Sequence, residues 1–234
     1  YLNITDNVVS TVTISDVEVS SGVSVVDLGS NDDSVFSIGN VDLMGEREMD
    51  VYVRNNDFST ITVGDITMAG TASDGDSTNT MDVNVDDNNN GMITIGDITA
   101  TALNADIDFA VTENDSSSVA IGAVTLSDAE TALVEISGNA ESFVAISDVS
   151  VDASETVTAG IISNSYSSID VGNLSLTSMS SDVNLDIRYN DGSDVTLGNV
   201  ALDAGSDADM VVVDNDDATI VGQAITISAG GLVV

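Results

Sequence analysis

Nine asparagines divide this chain into near-equal units. Asn7, Asn31, Asn56, Asn88, Asn114, Asn139, Asn164, Asn190 and Asn215 follow one another at intervals of 24, 25, 32, 26, 25, 25, 26 and 25 residues. Aliphatic side chains hold nearly fixed places around each. Five and three residues before the asparagine stand pairs such as Val51/Val53, Val83/Val85, Phe109/Val111 and Leu185/Ile187. Five and seven after it stand Phe36/Ile38, Ile61/Val63, Ile93/Ile95 and Val144/Ile146. Ten and twelve after it stand Val41/Leu43, Val124/Leu126, Leu174/Leu176 and Ile225/Ile227. A fixed period of this length marks a repeat architecture, in which each unit buries its apolar face against the next.

Each pair has period two, which is the signature of a short strand with one buried face. Between the second and third pairs the spacing slips to three. On a straight strand that slip would turn the later side chains outward. A bend keeps them inward, and Gly39, Gly64, Gly96, Gly122, Gly172 and Gly198 stand at that point, mostly followed by Asp or Asn. The β-branched enrichment and scattered Gly, Ser and Thr oppose a helical repeat. A propeller blade needs about 40 residues and four strands. The predicted fold is therefore all-β: a right- or left-handed parallel β-solenoid of about nine coils, with three short strands per coil. Stacked coils lie ~4.8 Å apart, so the nine asparagines predict a ladder of side-chain amides along a rod of roughly 40 Å. Residues 1–234 read as a single domain, with a longer polar return loop at 69–80.

Composition narrows the function. Forty acids stand against three arginines (Arg47, Arg54 and Arg188), with no lysine or histidine, for a formal charge of −37. Phosphate recognition needs cationic side chains, so nucleic acid and anionic membrane surfaces are not expected partners. No apolar run approaches the ~20 residues of a membrane helix. With no cysteine, histidine or lysine, most nucleophilic and acid–base schemes lack their usual groups. Uniform short loops supply little material for a cleft. An enzyme is not expected, and no cofactor is required.

Oxygen-rich turns suit calcium in chemistry, though none matches an EF-hand loop or a glycine-rich nonapeptide. The weak candidates are Asp65 and Asp97, stacked in adjacent units, together with Asp191, Asp194, Asp216 and Asp217. Stacked exposed carboxylates repel by about 0.8 kcal/mol at ~5 Å, so calcium or other cations are expected to stabilise the rod. An ice-binding face would need regular threonine columns. The outward column Thr13, Ser37, Thr62, Thr94, Ala120, Ala145, Asp170, Thr196 breaks off and includes a charge.

The ends carry the functional expectation. A solenoid's terminal coils present unpaired strand edges, which soluble proteins blunt with lysine, proline or a cap. This sequence has no proline and no lysine, and the pattern runs from Leu2 and Ile4 to Ile225 and Ile227, before Leu232, Val233 and Val234. Those residues form the expected assembly surface, with 228–234 as a junction segment, and the expected partner is a second copy in a head-to-tail homopolymer. A chain opening at Tyr1 rather than methionine is what removal of a leader would leave. The motifs Ile-Gly-Asp-Ile, Ile-Gly-Asn-Val and Val-Gly-Asn-Leu, joined to the asparagine column, make the whole chain resemble secreted bacterial β-solenoid adhesins and filament proteins. The resemblance implies an extracellular structural role: a filament subunit in a surface or biofilm matrix, or the rod segment of an adhesin. A free-standing ice- or ligand-binding solenoid is the third alternative.

Overall fold

The computed structural model describes residues 1–71, 80–103 and 105–230. It is a parallel β-solenoid of nine coils, each carrying one of the nine asparagines, and the described residues contain no helix. One sheet stacks the first strand of every coil, from Leu2–Thr5 through Glu48–Arg54 and Asp106–Thr112 to Ala208–Val213. The second strands, such as Val35–Ile38 and Met92–Ile95, and the third, such as Val41–Gly45 and Ile98–Leu103, form the other two faces. Register is strict: Val83 pairs with Val51 on one side and Phe109 on the other. In the last two coils the second and third strands fuse, as Asp194–Ala204 and Thr219–Ala229 run through the bend without a break.

Register places like on like, so the interior consists of columns of Val, Ile, Leu and Met. Phe36, Phe109, Leu28, Leu43, Ile61 and Ile98 are among the side chains fully withdrawn from solvent. Each such burial contributes roughly 1.5–3 kcal/mol. Met49, Met81 and Ile107 extend the core one inward position beyond the aliphatic pairs that the sequence made obvious.

The expected asparagine ladder is present in all nine coils. The main-chain N–H and the Nδ2 of each asparagine both donate to Oδ1 of the asparagine in the next coil, with Nδ2···Oδ1 distances of 2.8–3.0 Å. Nδ2 also donates back to a main-chain carbonyl of the preceding coil, as Asn114 does to Val85 at 3.0 Å. Buried turn amides and carbonyls thereby find partners that water cannot supply.

The backbone turns into and out of this ladder through two left-handed residues per coil, one before the asparagine and one two residues after it. Asp6 and Val9 (φ 59° and 49°) begin the series, and Asp214 and Asp217 (52° and 51°) end it. Asp, Asn, Ser and Gly take most of these places, as the steric rules favour. Val9, Phe58 and Tyr166 do not follow that preference, and nothing in their residue types announces a positive φ.

Candidate functional site

Two further ladders flank the asparagines. Three residues after each asparagine stand Ser10, Ser34, Ser59, Ser117, Ser142, Ser167 and Ser193, with Gly91 and Ala218 in the remaining coils. The N–H of each such position donates to Oγ in the next coil at 3.0–3.2 Å wherever a serine stands there. That Oγ donates back to the preceding asparagine's carbonyl at 2.9–3.3 Å. This column shares the register of the asparagines and was open to inspection in the sequence.

At the opposite bend, the residue nine after the asparagine points a side-chain oxygen at the next coil in most coils where Asp or Asn stands there; Ala123 and Ala224 have none to offer. Asp16, Asn40, Asp65, Asp97, Asp148 and Asn173 each accept the N–H of the corresponding residue one coil on, at 2.6–3.1 Å. The bend glycines precede these residues by one. None of them needs a positive φ; a Cβ on Gly39, Gly64, Gly96 or Gly122 would lie 2.3–2.5 Å from the Oδ1 of the coil below. At Gly172 and Gly198 a Cβ would also meet main-chain atoms. Close approach therefore requires these glycines, rather than the bend chemistry expected from the sequence. Ser147 is the informative exception: the coil below it offers Ala123, which has no Oδ1. Gln223 departs from the pattern where the strands fuse through the bend.

The two ends differ. In the ninth coil the inward residues Val212, Ile225 and Ile227 are 46%, 53% and 39% exposed, whereas their counterparts one coil below, Ile187, Val200 and Leu202, are at 0–1%. In the first coil Ile4 and Val17 are buried, and Leu2, Val12, Ile14 and Val19 are partly buried. Hydrogen bonding is polar along the axis as well. At the first coil, Asn7 sends Nδ2 to Asn31 Oδ1 and its own Thr5 carbonyl, and no donor faces its Oδ1 among the described residues. At the ninth, Asn215 Nδ2 donates to the Ile187 carbonyl of the coil below and the Val213 carbonyl of its own coil, and no acceptor faces its N–H among the described residues. In the asparagine column the first end thus leaves an Oδ1 open and the ninth a main-chain N–H.

Of the expected assembly residues, Leu2 and Ile4 stand at the first end and Ile225 and Ile227 at the other. Leu232, Val233 and Val234 lie outside the described residues, as do 72–79 of the long return loop. Among the described residues, no three of the weak metal candidates meet within 4.8 Å. Asp65 and Asp97 each accept a main-chain N–H, Asp191 and Asp194 lie in the eighth coil, and Asp216 and Asp217 in the ninth. The carboxylates that do meet within 4.8 Å are Asp86, Asp87 and Glu113.

A different acid column emerges on the outward face of the first sheet. Asp50, Asp82 and Asp108 are register partners in three consecutive coils. Asp50 is only 2% exposed, and Oδ1 of both Asp50 and Asp82 is buried without a hydrogen-bond partner. Burial, a hydrogen bond with Glu48 and the charge of Asp82 push the Asp50 carboxyl up to about 7. Burial and the charges of Asp108 and Glu48 take Asp82 to about 6, and burial followed by Asp106 and Glu135 raises Asp108. Nearby, Arg54 pairs with Asp27 at 2.8 Å and stacks 4.6 Å over the Tyr52 ring. An open groove runs past Ser20, Gly22, Gly45 and Gly70, with Glu46 as its ionisable lining residue. Against known proteins, the chain matches no family model, no curated relative and no solved structure.

Proposed function

We propose that this protein is a structural subunit that stacks head to tail into a cation-stabilised extracellular fibre. One observation carries the reading: the ninth coil holds Val212, Ile225 and Ile227 half in solvent, in columns that the second to eighth coils bury. A coil seated on them would cover apolar surface at ~25 cal/mol per Å² and pair an open strand edge in each sheet. Because the two ends differ, such contacts do not close on themselves, and non-closing contacts generate filaments. The formal charge of −37 sets fibres apart at low ionic strength, and divalent cations reduce that repulsion. The lack of thiols and the scarcity of cationic side chains suit a solvent-facing structural material.

Electron microscopy and sedimentation of the purified chain, with and without calcium, test this. Unbranched fibres one solenoid wide are the expected result. Monomers at high concentration in calcium would contradict it and return the rod segment of an adhesin as the better reading.

A further inference from the structure

We infer that the partner of the ninth coil is the first coil of a second copy, seated in the same register as consecutive coils within one chain. Asn215 then lies beneath Asn7, Ala218 beneath Ser10, Gln223 beneath Ser15 and Ala224 beneath Asp16. The inference rests on the head-to-tail reading above and specifies its contact residue by residue.

Three hydrogen-bonding rules operate between consecutive coils, and the junction meets each. The asparagine rule needs an N–H and an Nδ2 below and an Oδ1 above. Asn215 supplies the first two, and the Oδ1 of Asn7 is an acceptor that no donor faces among the described residues. The returning bond, from Nδ2 to the carbonyl three residues before the lower asparagine, finds Val212, the equivalent of Ile187 one coil down. The serine rule needs only an N–H below and an Oγ above, as Gly91 shows by donating to Ser117 at 3.0 Å. Ala218 is therefore adequate beneath Ser10, whose Oγ now bonds its own Val8 carbonyl.

The third rule discriminates most. Where the second and third strands of the upper coil are separate, no Cβ stands at the bend position above an Oδ1. Gly96 faces Asp65 Oδ1 and Gly122 faces Asp97 Oδ1, each with a would-be contact of 2.3 Å. Gln223, above Asn199, lies where the strands fuse. Within the chain a serine occupies this position above an alanine, Ser147 above Ala123. The first coil carries Ser15 at its bend, and the ninth carries Ala224. Stacked in register, Ala224 leaves no Oδ1 to meet the Ser15 Cβ, as Ala123 leaves none for Ser147, with Gln223 in the place that Gly122 takes there. The apolar columns continue too, with Val212 under Ile4, Ile225 under Val17 and Ile227 under Val19. A head-to-head contact would set acceptor against acceptor at Asn7, so the polarity is fixed along with the register.

The test uses Ala224→Asn, which puts an Oδ1 beneath the Ser15 Cβ, and the double variant Ala224→Asn with Ser15→Gly, which restores the pattern of the interior bends. Assembly is followed by sedimentation in calcium, and thermal unfolding of the dilute protein reports folding. The expected result is a critical concentration raised about tenfold or more in the single variant, the scale of an overpacked contact, and recovery in the double. Normal assembly of Ala224→Asn, or failure of the folded double variant to recover, would overturn the register while leaving stacking intact. A wild-type chain that never assembles would remove the head-to-tail reading itself, and this inference with it.

Discussion

Two columns of short polar side chains run the length of this rod, and they obey different chemistry. The column at one bend is asparagine in nine coils of nine; the column at the other mixes Asp16, Asn40, Asp65, Asp97, Asp148, Asn173 and Asn199. In the first, each amide must donate twice, to the next Oδ1 and to a buried carbonyl of the coil below, so an aspartate would set a carboxylate against a carbonyl. In the second, the side chain accepts an N–H and stands in solvent. Asn173 and Asn199 donate only to the exposed Oδ1 of the coil below, not to a buried carbonyl, so either residue serves. The lesson is that the number of donors a site demands, rather than its place in a turn, decides whether charge is tolerated.

The comparison breaks most readily at Asn114→Asp, which leaves a buried, unpaired charge. A loss of about 3–5 kcal/mol in urea unfolding is expected. Asp97→Asn, on the exposed column, should stay within about 0.5 kcal/mol. Equal effects at the two sites would dissolve the distinction. Gly96→Ala comes next: its Cβ meets Asp65 Oδ1 at 2.3 Å, and a loss of about 1–3 kcal/mol is expected. Adding Asp65→Ala should recover part of that loss, as the native Ala123–Ser147 pair implies.

A smaller change should stabilise. At Gly91 an added Cβ meets nothing closer than 3.4 Å, and an Oγ there would accept the Ser59 N–H and continue the serine ladder. Gly91→Ser is expected to gain about 1 kcal/mol in chemical denaturation. The third acid column sharpens the contrast from the other side, because Asp50 and Asp82 have no N–H to accept at Oδ1. Their folded-state values, about 7 and about 6, lie above those of an unfolded chain, so the folded state holds extra protons. Their contribution is fully present below about pH 4 and is lost as pH rises through 6 to 7. The melting temperature should therefore fall between pH 5 and pH 8 at constant salt, and Asp50→Asn with Asp82→Asn should flatten that slope.

Much of this was legible in the order of residues. Period-two aliphatic pairs and a fixed asparagine specify parallel coils because register makes each column chemically uniform, and columns survive in one dimension as repeats. The serine column is nearly as regular, broken only at Gly91 and Ala218, but serine is common in turns and its type alone does not announce a ladder. The reason for the bend glycines was not legible: their constraint is an oxygen 23 to 31 residues earlier, one coil below. Burial of Asp50 was hidden for the same reason, since an alternating strand pattern assigns it to the outward face. The positive φ at Phe58 and Tyr166 is imposed by neighbouring coils against the residues' own preference.

Fibre diffraction from aligned assemblies tests the account most directly. If coils of one copy continue into the next without a break, the axial strand reflection at ~4.8 Å persists and the subunit repeat equals nine such spacings, about 43 Å. A repeat that is not nine strand spacings, or reflections from chains packed side by side without axial continuity, would contradict it.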